Sequence, residues 1–241
     1  MKFLRIVWLV VGLISFLING KAQTVDEIIN KYIEALGGKD KIGNMKTLYF
    51  ESELNIAGNL APSITYILDG KGYKNEVDFN GQQVVTCYTD KKGWTLNPLA
   101  GQTAPVSVPD DQLKIGQMQL DLKGPLFDYA AKGNKVELLG KENFKGTGVY
   151  KLKLTTRTNM ELVLLIDSNT YYLLKTTVKL TINGQDAEST YVNSNYIQTA
   201  YGLFFPFTQE ISFPGLTLTS NTGKVEINKE MEPAIFEMPK N

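Results

Sequence analysis

The fold is decided by residues 149–182, which read VYKLKLTTRTNMELVLLIDSNTYYLLKTTVKLTI. In residues 150–157 apolar and polar side chains alternate, so that Leu152 and Leu154 fall on one side of the chain. This period of two is typical of a strand with one buried and one exposed face. Residues 161–167 are apolar on both sides, so we expect both faces of that strand to be covered. The stretch therefore predicts consecutive antiparallel strands.

Turn dipeptides and period-two segments extend this pattern in both directions. Asn80-Gly81 and Asn183-Gly184 tolerate the positive φ angles that a two-residue hairpin requires. Further strands are predicted at residues 48–56, 64–68, 73–79, 82–89, 94–96, 136–139, 187–196 and 207–213. A last hairpin is predicted from residues 216–220 and 224–227. We predict a sheet of about ten or eleven strands, and so many strands must curl or split rather than form one flat open sheet.

An amphipathic helix precedes the first strand. Thr24 and Glu27 have the spacing of a capping box, and the apolar residues of 25–36 fall at helical spacing on one face. Gly37 ends this helix, and residues 39–45 predict another short helical turn. Because the apolar stripe must be buried, we expect the helix to lie on the sheet.

The strand pattern is interrupted between residues 99 and 133. Residues 109–122 predict a helical stretch, and residues 126–130 predict a second short helix after Gly124-Pro125. A helical insertion in a sheet protein often covers an opening, and we expect that role here. The predicted fold class is thus mainly β with an α lid (α+β): an incomplete, strongly bent antiparallel β-barrel under an N-terminal helix and a mid-chain helical insertion.

The N-terminal residues have the pattern of a secretory leader. Lys2 and Arg5 precede an apolar run at residues 6–18, and small residues follow up to Ala22. The run is shorter than the roughly 20 residues of a membrane-spanning helix, the alternative interpretation. We therefore predict a signal peptide at residues 1–22, cleaved after Ala22, and an exported chain that does not span the membrane. Periplasmic residence and full secretion both fit this prediction.

The remaining residues, 23–241, have the size of one all-β domain. The full chain has 25 basic and 25 acidic residues, and loss of the leader leaves 22 basic and 25 acidic ones. A weakly acidic domain is not suited to nucleic acid, since such binding depends on neutralising phosphates. We expect no nucleic-acid partner and a monomer.

The residues that active sites need are scarce. The chain has no histidine, which excludes histidine-based triads and HExxH zinc sites. Cys87 is the one cysteine, so it has no internal disulfide partner, and we expect a small buried hydrophobe rather than a reactive thiol. The acidic pairs Glu51/Glu53 and Asp110/Asp111 fit a solvated strand face and a helix start. We predict a protein that is not an enzyme and has no cofactor or metal.

Several short sequence motifs follow one another along the chain. They are IINKYIEALGG at residues 28–38, Gly93-Trp94 with Asn97-Pro98, LLGKE at residues 138–142, YKLKL at residues 150–154, Ile166-Asp167, residues 202–206 and residues 236–239. This order resembles the LolA/LppX-like superfamily of periplasmic lipoprotein-sorting and lipid-carrier proteins. The resemblance covers nearly all of residues 23–241 and implies a single half-barrel domain.

The resemblance also implies a function. In that family an unclosed barrel bends around an apolar cavity, helices form its lid, and the cavity shelters acyl chains. Established lipoprotein carriers tie the lid to the barrel with an arginine on an early strand, whereas residues 23–241 contain Arg157 alone, late in the chain. The expected function is therefore a non-enzymatic carrier of a lipid, acyl chain or other hydrophobic ligand, including an acylated peptide, in lipid or lipoprotein trafficking to the outer membrane.

The candidate cavity lining consists of the apolar residues predicted to point inward from the strands and the insertion. They are Phe50, Leu54, Tyr66, Leu68, Val77, Phe79, Trp94, Leu113, Leu120, Leu152, Leu154, Leu164 and Ile166. The alternative is a filled core, in a structural or sensing module of the cell envelope that binds a protein partner. Trp94 and Phe204-Phe205 are the first candidates for the exposed apolar patch that such a module needs.

Overall fold

The computed structural model describes residues 23–182 and 185–239. Within these ranges the strands are β1 Thr47–Ile56, β2 Asn59–Leu68, β3 Gly72–Phe79, β4 Gln82–Thr89, β5 Gly93–Leu96, β6 Val106–Ser107, β7 Lys135–Phe144, β8 Thr147–Thr155, β9 Glu161–Asp167, β10 Leu173–Ile182, β11 Gln185–Gln198, β12 Phe204–Phe213 and β13 Leu216–Ile227. The α-helices are α1 Val25–Leu36, α2 Lys39–Gly43 and α3 Asp110–Gly116. Short 3₁₀ helices occupy Pro98–Ala100, Gln117–Leu120 and Pro233–Phe236. The predicted leader and the predicted Asn183-Gly184 turn lie outside the described residues.

The strands form one antiparallel sheet in the order β6-β5-β4-β3-β2-β1-β13-β12-β11-β10-β9-β8-β7. Apart from β6 and β7, strands that are consecutive in sequence are neighbours, and β1 pairs with β13. Pairing of β6 with β7 would close this order into a barrel, but these two strands are the edges. The sheet is therefore an unclosed barrel, and residues 108–134 connect its two edges. This confirms the predicted fold class. Each described helix is too short or too polar to cross a membrane.

The predicted Asn80-Gly81 turn joins β3 to β4. Asn80 has a φ of 54° and Gly81 a φ of 80°, as a two-residue hairpin requires. The Asp78 carboxylate accepts a hydrogen bond from the Gly81 backbone N–H at 2.7 Å. The turn residues thus fix the pairing of the two strands, in which Phe79 stands opposite Gln82.

The capping box of α1 is present. The Glu27 backbone N–H donates to Thr24 Oγ1 at 3.2 Å, and the Thr24 backbone N–H donates to Glu27 Oε2 at 3.0 Å. The helix ends before Gly37, whose φ is 124°. A Cβ at Gly37 would lie 2.7 Å from the carbonyl oxygen of Gly202, so glycine here allows the end of α1 to approach the loop before β12.

We call the sheet face that α1 covers the inner face. Its packed part, the inner core, is centred on β8 and β9, where Leu152, Leu154, Leu164 and Ile166 are almost fully buried. Apolar residues of the helices and of the insertion pack on them, namely Ile28, Ile29, Ile33, Ile42, Leu126 and Phe127. The stripe predicted for α1 is therefore buried against the sheet, as the sequence indicates.

A second apolar cluster, the outer core, lies on the opposite or outer face. Val85, Cys87 and Trp94 of β4 and β5 pack there against Phe236, in the C-terminal 3₁₀ helix. The Phe236 ring lies over Gly72, where an added Cβ would stand 2.5 Å from a ring carbon. The C-terminal segment thus covers the outer face of β3 to β5.

Three sequence predictions differ from the structure. Residues 126–130 form turns rather than a second short helix. Residues 216–227 form the single strand β13, in which Gly223 has no partner on β1, rather than a hairpin. The described ranges contain thirteen strands rather than the predicted ten or eleven, and one of them, β6, lies in the loop predicted before residue 109.

Candidate functional site

The inner face continues well beyond the part that α1 covers. Residues directly opposite each other in neighbouring strands point to the same face. Phe50 stands opposite Thr65 and Val225, and Leu54 stands opposite Ala61 and Ser220. These rows connect through β12 and β11 to the inner core. The inner face of β1 to β3 and β11 to β13 is therefore the surface that the unclosed barrel encloses.

Leu48, Ala61 and Leu218 are buried on this uncovered part, whereas its other apolar side chains are half-buried or exposed. The aromatic rings of Phe50 and Phe205 lie 5.8 Å apart, and those of Phe205 and Phe207 lie 6.3 Å apart. The remaining members of this open apolar surface are Leu54, Val77, Phe79, Ile211, Phe213 and Leu216. Phe213 and Leu216 are each 41% exposed. Apolar area of this kind is available to a hydrophobic ligand.

Uncharged polar side chains lie between these apolar residues. Ser63 and Thr65 are buried, and their hydroxyl oxygens accept hydrogen bonds from Asn75 Nδ2 at 2.8 and 2.9 Å. Ser52 lies within 3.3 Å of the Thr222 hydroxyl. The inner face is thus a mixed apolar and hydroxyl-bearing surface.

Three tyrosines show that the two halves of the sheet curl toward each other. Tyr73 of β3 stacks on Tyr88 of β4 with ring centroids 6.2 Å apart, and both point to the inner face. Burial raises the pKa of Tyr73, and the neighbouring Tyr88 and Tyr191 hydroxyls raise it further. Tyr191 belongs to β11, five strands from β3 in the sheet order. An electrostatic influence over that separation agrees with the bent, unclosed barrel.

Helix α3 crosses from one half of the barrel to the other. A Cβ at Gly116 would stand 2.3 Å from the Tyr88 ring, so the end of α3 packs directly on β4. On its other side, α3 borders a pocket of about 860 Å³ that it shares with residues 158–161 and with β10 and β11. The pocket lining includes Ile115 and Met160 but is mostly charged. The insertion therefore contacts β4 on one side and borders residues of β9 to β11 on the other, and we call the pocket beside α3 the mouth pocket.

Helix α1 is held to the sheet at its polar side by two tyrosines. The Tyr171 hydroxyl accepts hydrogen bonds from Gln23 Nε2 at 3.1 Å and Lys31 Nζ at 3.2 Å, and these donors lower the pKa of Tyr171. The Tyr129 hydroxyl donates to Asp26 at 2.8 Å, which raises the pKa of Tyr129. Between α1 and residues 126–131 lies a groove of about 700 Å³. Arg157 is exposed and takes no part in these contacts.

The thirteen predicted lining residues separate into four groups. Phe50, Leu54, Val77 and Phe79 lie half-buried on the uncovered inner face. Leu152, Leu154, Leu164 and Ile166 are packed in the inner core, and Leu113 and Leu120 lie in α3 and the 3₁₀ helix after it. Tyr66, Leu68 and Trp94 point to the outer face and belong to or contact the outer core.

The last group corrects the prediction of one common lining. Tyr66 stands opposite Tyr49 rather than Phe50, so the register sends it to the other side of the sheet. Trp94 is 3% exposed and its Nε1 donates to the Phe236 carbonyl oxygen at 3.1 Å. Trp94 therefore provides no exposed patch for a protein partner either. The sequence patterns did not single out Phe207, Ile211, Phe213 and Leu216 as lining residues, although the alternation of residues 207–213 was the signal that could have found the first three.

Comparisons with known proteins identify the fold of this chain. No family model matches the chain, and no curated protein matches its sequence. Among solved structures, an outer membrane lipoprotein-sorting protein domain from Vibrio parahaemolyticus has a TM-score of 0.56 at 14% identity and covers 87% of this chain and 94% of its own. The protein has the fold of the LolA superfamily. This confirms the resemblance drawn from the sequence motifs.

Two further structures support the same conclusion. A DUF1329 family protein from Desulfovibrio piger has a TM-score of 0.58 at 15% identity, with coverage of 90% of this chain and 98% of its own. A LolA superfamily protein from Nitrosomonas europaea has a TM-score of 0.57 at 13% identity, with the same coverages of 90% and 98%. At these identities the LolA-like fold is what the chains share, and function depends on the site.

Proposed function

We propose that the protein is a non-enzymatic exported carrier that holds a lipid, an acyl chain or another hydrophobic ligand on the uncovered inner face of the barrel. The observation that carries the proposal is the open apolar surface around Phe50, Phe213 and Leu216, which stays half-buried or exposed beside a packed core on the same face. The leader pattern supports export to the periplasm, and the LolA-like fold supports trafficking of lipids or lipoproteins.

The energetics favour acyl chains as ligands. Transfer of each CH₂ group from water to an apolar surface contributes about 0.8 kcal/mol. One chain of ordinary length therefore offers ample free energy to offset the loss of freedom on binding. The insertion that carries α3 connects the two edge strands and packs on Tyr88 of the inner face, and movement of this segment would open a route to that face.

The proposal is tested with residues 23–241 by native mass spectrometry, organic extraction of bound material and titration with Nile red, an uncharged apolar fluorophore. Leu216→Glu places a charge on the inner face, where Leu216 is 41% exposed. Leu60→Glu is the matched control, because Leu60 is 56% exposed and stands opposite Asn55 on the outer face. We expect Leu216→Glu to weaken Nile red binding at least tenfold and Leu60→Glu to change it less than twofold.

Two results would contradict the proposal. Equal effects of the two substitutions would place the binding surface elsewhere, and absence of bound lipid together with no Nile red binding would leave no carrier function. The second candidate is a structural or sensing module of the envelope that binds a protein partner. It is favoured by the packing of Leu152 and Leu164 under α1, since that part of the barrel is filled.

A further inference from the structure

Charged side chains are absent from the inner face of β1 to β5 and β8 to β13, as far as the structure describes their side chains. Glu51 stands opposite Lys224, and Glu210 opposite Val192, all on the outer face. The other charged residues of these strands also occupy outer positions, namely Glu53, Lys74, Glu76, Asp78, Lys151, Lys153, Glu161, Asp167, Lys175, Lys179, Glu188 and Glu226. The surface proposed above to bind the ligand thus has no counter-ion.

The same face has groups that bind uncharged polar atoms. Its serine, threonine, asparagine and glutamine side chains both donate and accept hydrogen bonds. Gln209 Nε2 donates to Asn193 Oδ1 at 2.8 Å, and Asn75 Nδ2 donates to the hydroxyl oxygens of Ser63 and Thr65. Ser189 Oγ, on β11 beside Tyr191, is buried and has no hydrogen-bond partner among the described residues. These groups suit a hydroxyl or an ester carbonyl better than an ion.

Charges on the neighbouring elements do not supply a cation either. The mouth pocket is lined by four acidic residues, Asp110, Asp111, Glu161 and Glu188, against two lysines, Lys114 and Lys179. Lys141, opposite Tyr150 on edge strand β7, is exposed and lies over the Tyr150 ring at 4.7 Å, at the α1 end of the sheet. Lys123 and Lys132 of the insertion are paired with Asp69 and Asp121. The mouth pocket is therefore predominantly acidic, and its Glu161, Lys179 and Glu188 lie at outer positions of their strands. They place no cation on the inner face.

The cost of burying an ion decides between ligand classes. Moving a carboxylate or phosphate out of water without a counter-ion costs several kcal/mol of free energy. For a hydroxyl or an ester, hydrogen bonds to the protein offset most of the desolvation cost. We propose that the ligand is an uncharged amphiphile, a hydrocarbon chain with a hydroxyl- or ester-type polar group, and that free fatty acids and anionic phospholipids are discriminated against. This inference rests on the proposed carrier function and names its ligand class.

Three probes with one acyl chain test the inference. Monopalmitoylglycerol, palmitate and palmitoyl lysophosphatidate are compared for displacement of Nile red from residues 23–241 at pH 7.5, below their aggregation concentrations. We expect monopalmitoylglycerol to bind at least tenfold more tightly than either anion. Palmitate binding as tightly as monopalmitoylglycerol would overturn the inference while the carrier function stands. If neither Nile red nor any probe binds, the carrier function fails and the inference fails with it.

A positive charge introduced on the inner face should reduce the preference for the uncharged probe. Ser220→Lys places an ammonium group beside Leu54, opposite which Ser220 stands. Thr219→Lys is the matched control, because Thr219 is the next residue of β13 and stands opposite Asn55 on the outer face. We expect Ser220→Lys to raise palmitate affinity at least tenfold relative to monopalmitoylglycerol and Thr219→Lys to leave the ratio within twofold. An unchanged ratio in folded Ser220→Lys would count against the inference.

Discussion

The inner and outer cores lie on opposite faces of one sheet and are covered in different ways. Helix α1 covers the inner core through a stripe of apolar residues, among them Ile28, Ile29 and Ile33, so its attachment is distributed over many contacts. The C-terminal segment covers the outer core mainly through Phe236. The Phe236 carbonyl oxygen also accepts hydrogen bonds from Trp94 Nε1 at 3.1 Å and Cys87 Sγ at 3.3 Å. One fully buried residue, with Met231, Ile235 and Met238 packed beside it, thus closes the outer core, whereas the cover of the inner core has no such central residue.

This difference shows how a sheet with two apolar faces can keep part of one face open. The outer core is small and completely covered, so it stabilises the early strands without offering a surface. The inner core fills only the part of the inner face near β8 and β9. The rest of that face stays accessible because α1 is too short to cover it, and the predictions below test this division of roles.

The largest effect is expected from Phe236→Ala. Truncation of a buried phenylalanine costs about 3–5 kcal/mol of unfolding free energy. Cys87 is 0% exposed and burial raises the pKa of its thiol to about 12, so it should be almost unreactive toward a disulfide reagent at pH 8. Phe236→Ala should expose the thiol, return its pKa toward the ordinary value and speed labelling at least tenfold. Urea unfolding and labelling kinetics measure the two effects.

Phe236→Leu is the control for this experiment, because it keeps an apolar side chain over Gly72 and the backbone carbonyl in place. It should retain most of the protection of Cys87. Slow labelling of Cys87 in Phe236→Ala would show that the tail does not close the outer core alone, and the contrast between the two covers would then be wrong.

Leu152→Ala, in the inner core, should lower the free energy of unfolding by as much as Phe236→Ala or by less. Truncation of a fully buried leucine costs about 2–5 kcal/mol, and the remaining contacts of α1 should keep the helix in place. Leu216→Ala, on the uncovered part of the same face, should change the unfolding free energy by no more than about 0.5 kcal/mol. Urea unfolding of both variants measures the difference. Equal losses would mean that Leu216 is packed and that the inner face is filled.

The register of β1 and β2 shows why the sequence predicted the strands but not all of the site. Alternation identifies strands, but the face of each residue depends on the turn that joins them. Ile56 pairs with Asn59, and the turn between them has positive φ at Ala57 (51°) and Gly58 (88°). Alanine is uncommon at positive φ, so this position has no recognisable turn signal. That turn places Tyr66 on the face opposite Phe50.

The sequence pattern also did not predict where irregular segments pack on distant strands. The helical stripe of α1 and the Asn80-Gly81 turn are local signals, and both predictions are confirmed. Phe236 lies in a segment without periodicity, so nothing local indicates that it covers Cys87 and Trp94. The prediction that Cys87 is a buried small residue is nevertheless confirmed, because its strand is apolar on the outer face as well.

The smallest effect is expected at the start of α1, from Thr24→Ala. Loss of an N-cap side chain costs about 0.5–2 kcal/mol, and Thr24→Ser should keep the cap and lose less. The apolar stripe should hold α1 on the sheet in both variants, so Cys87 labelling should stay as slow as in the unaltered protein. Urea unfolding and the labelling rate measure these outcomes. Rapid labelling in Thr24→Ala would show that loosening the inner cover also opens the outer core. The two faces of the sheet would then be energetically coupled through the strands they share, and not independently covered.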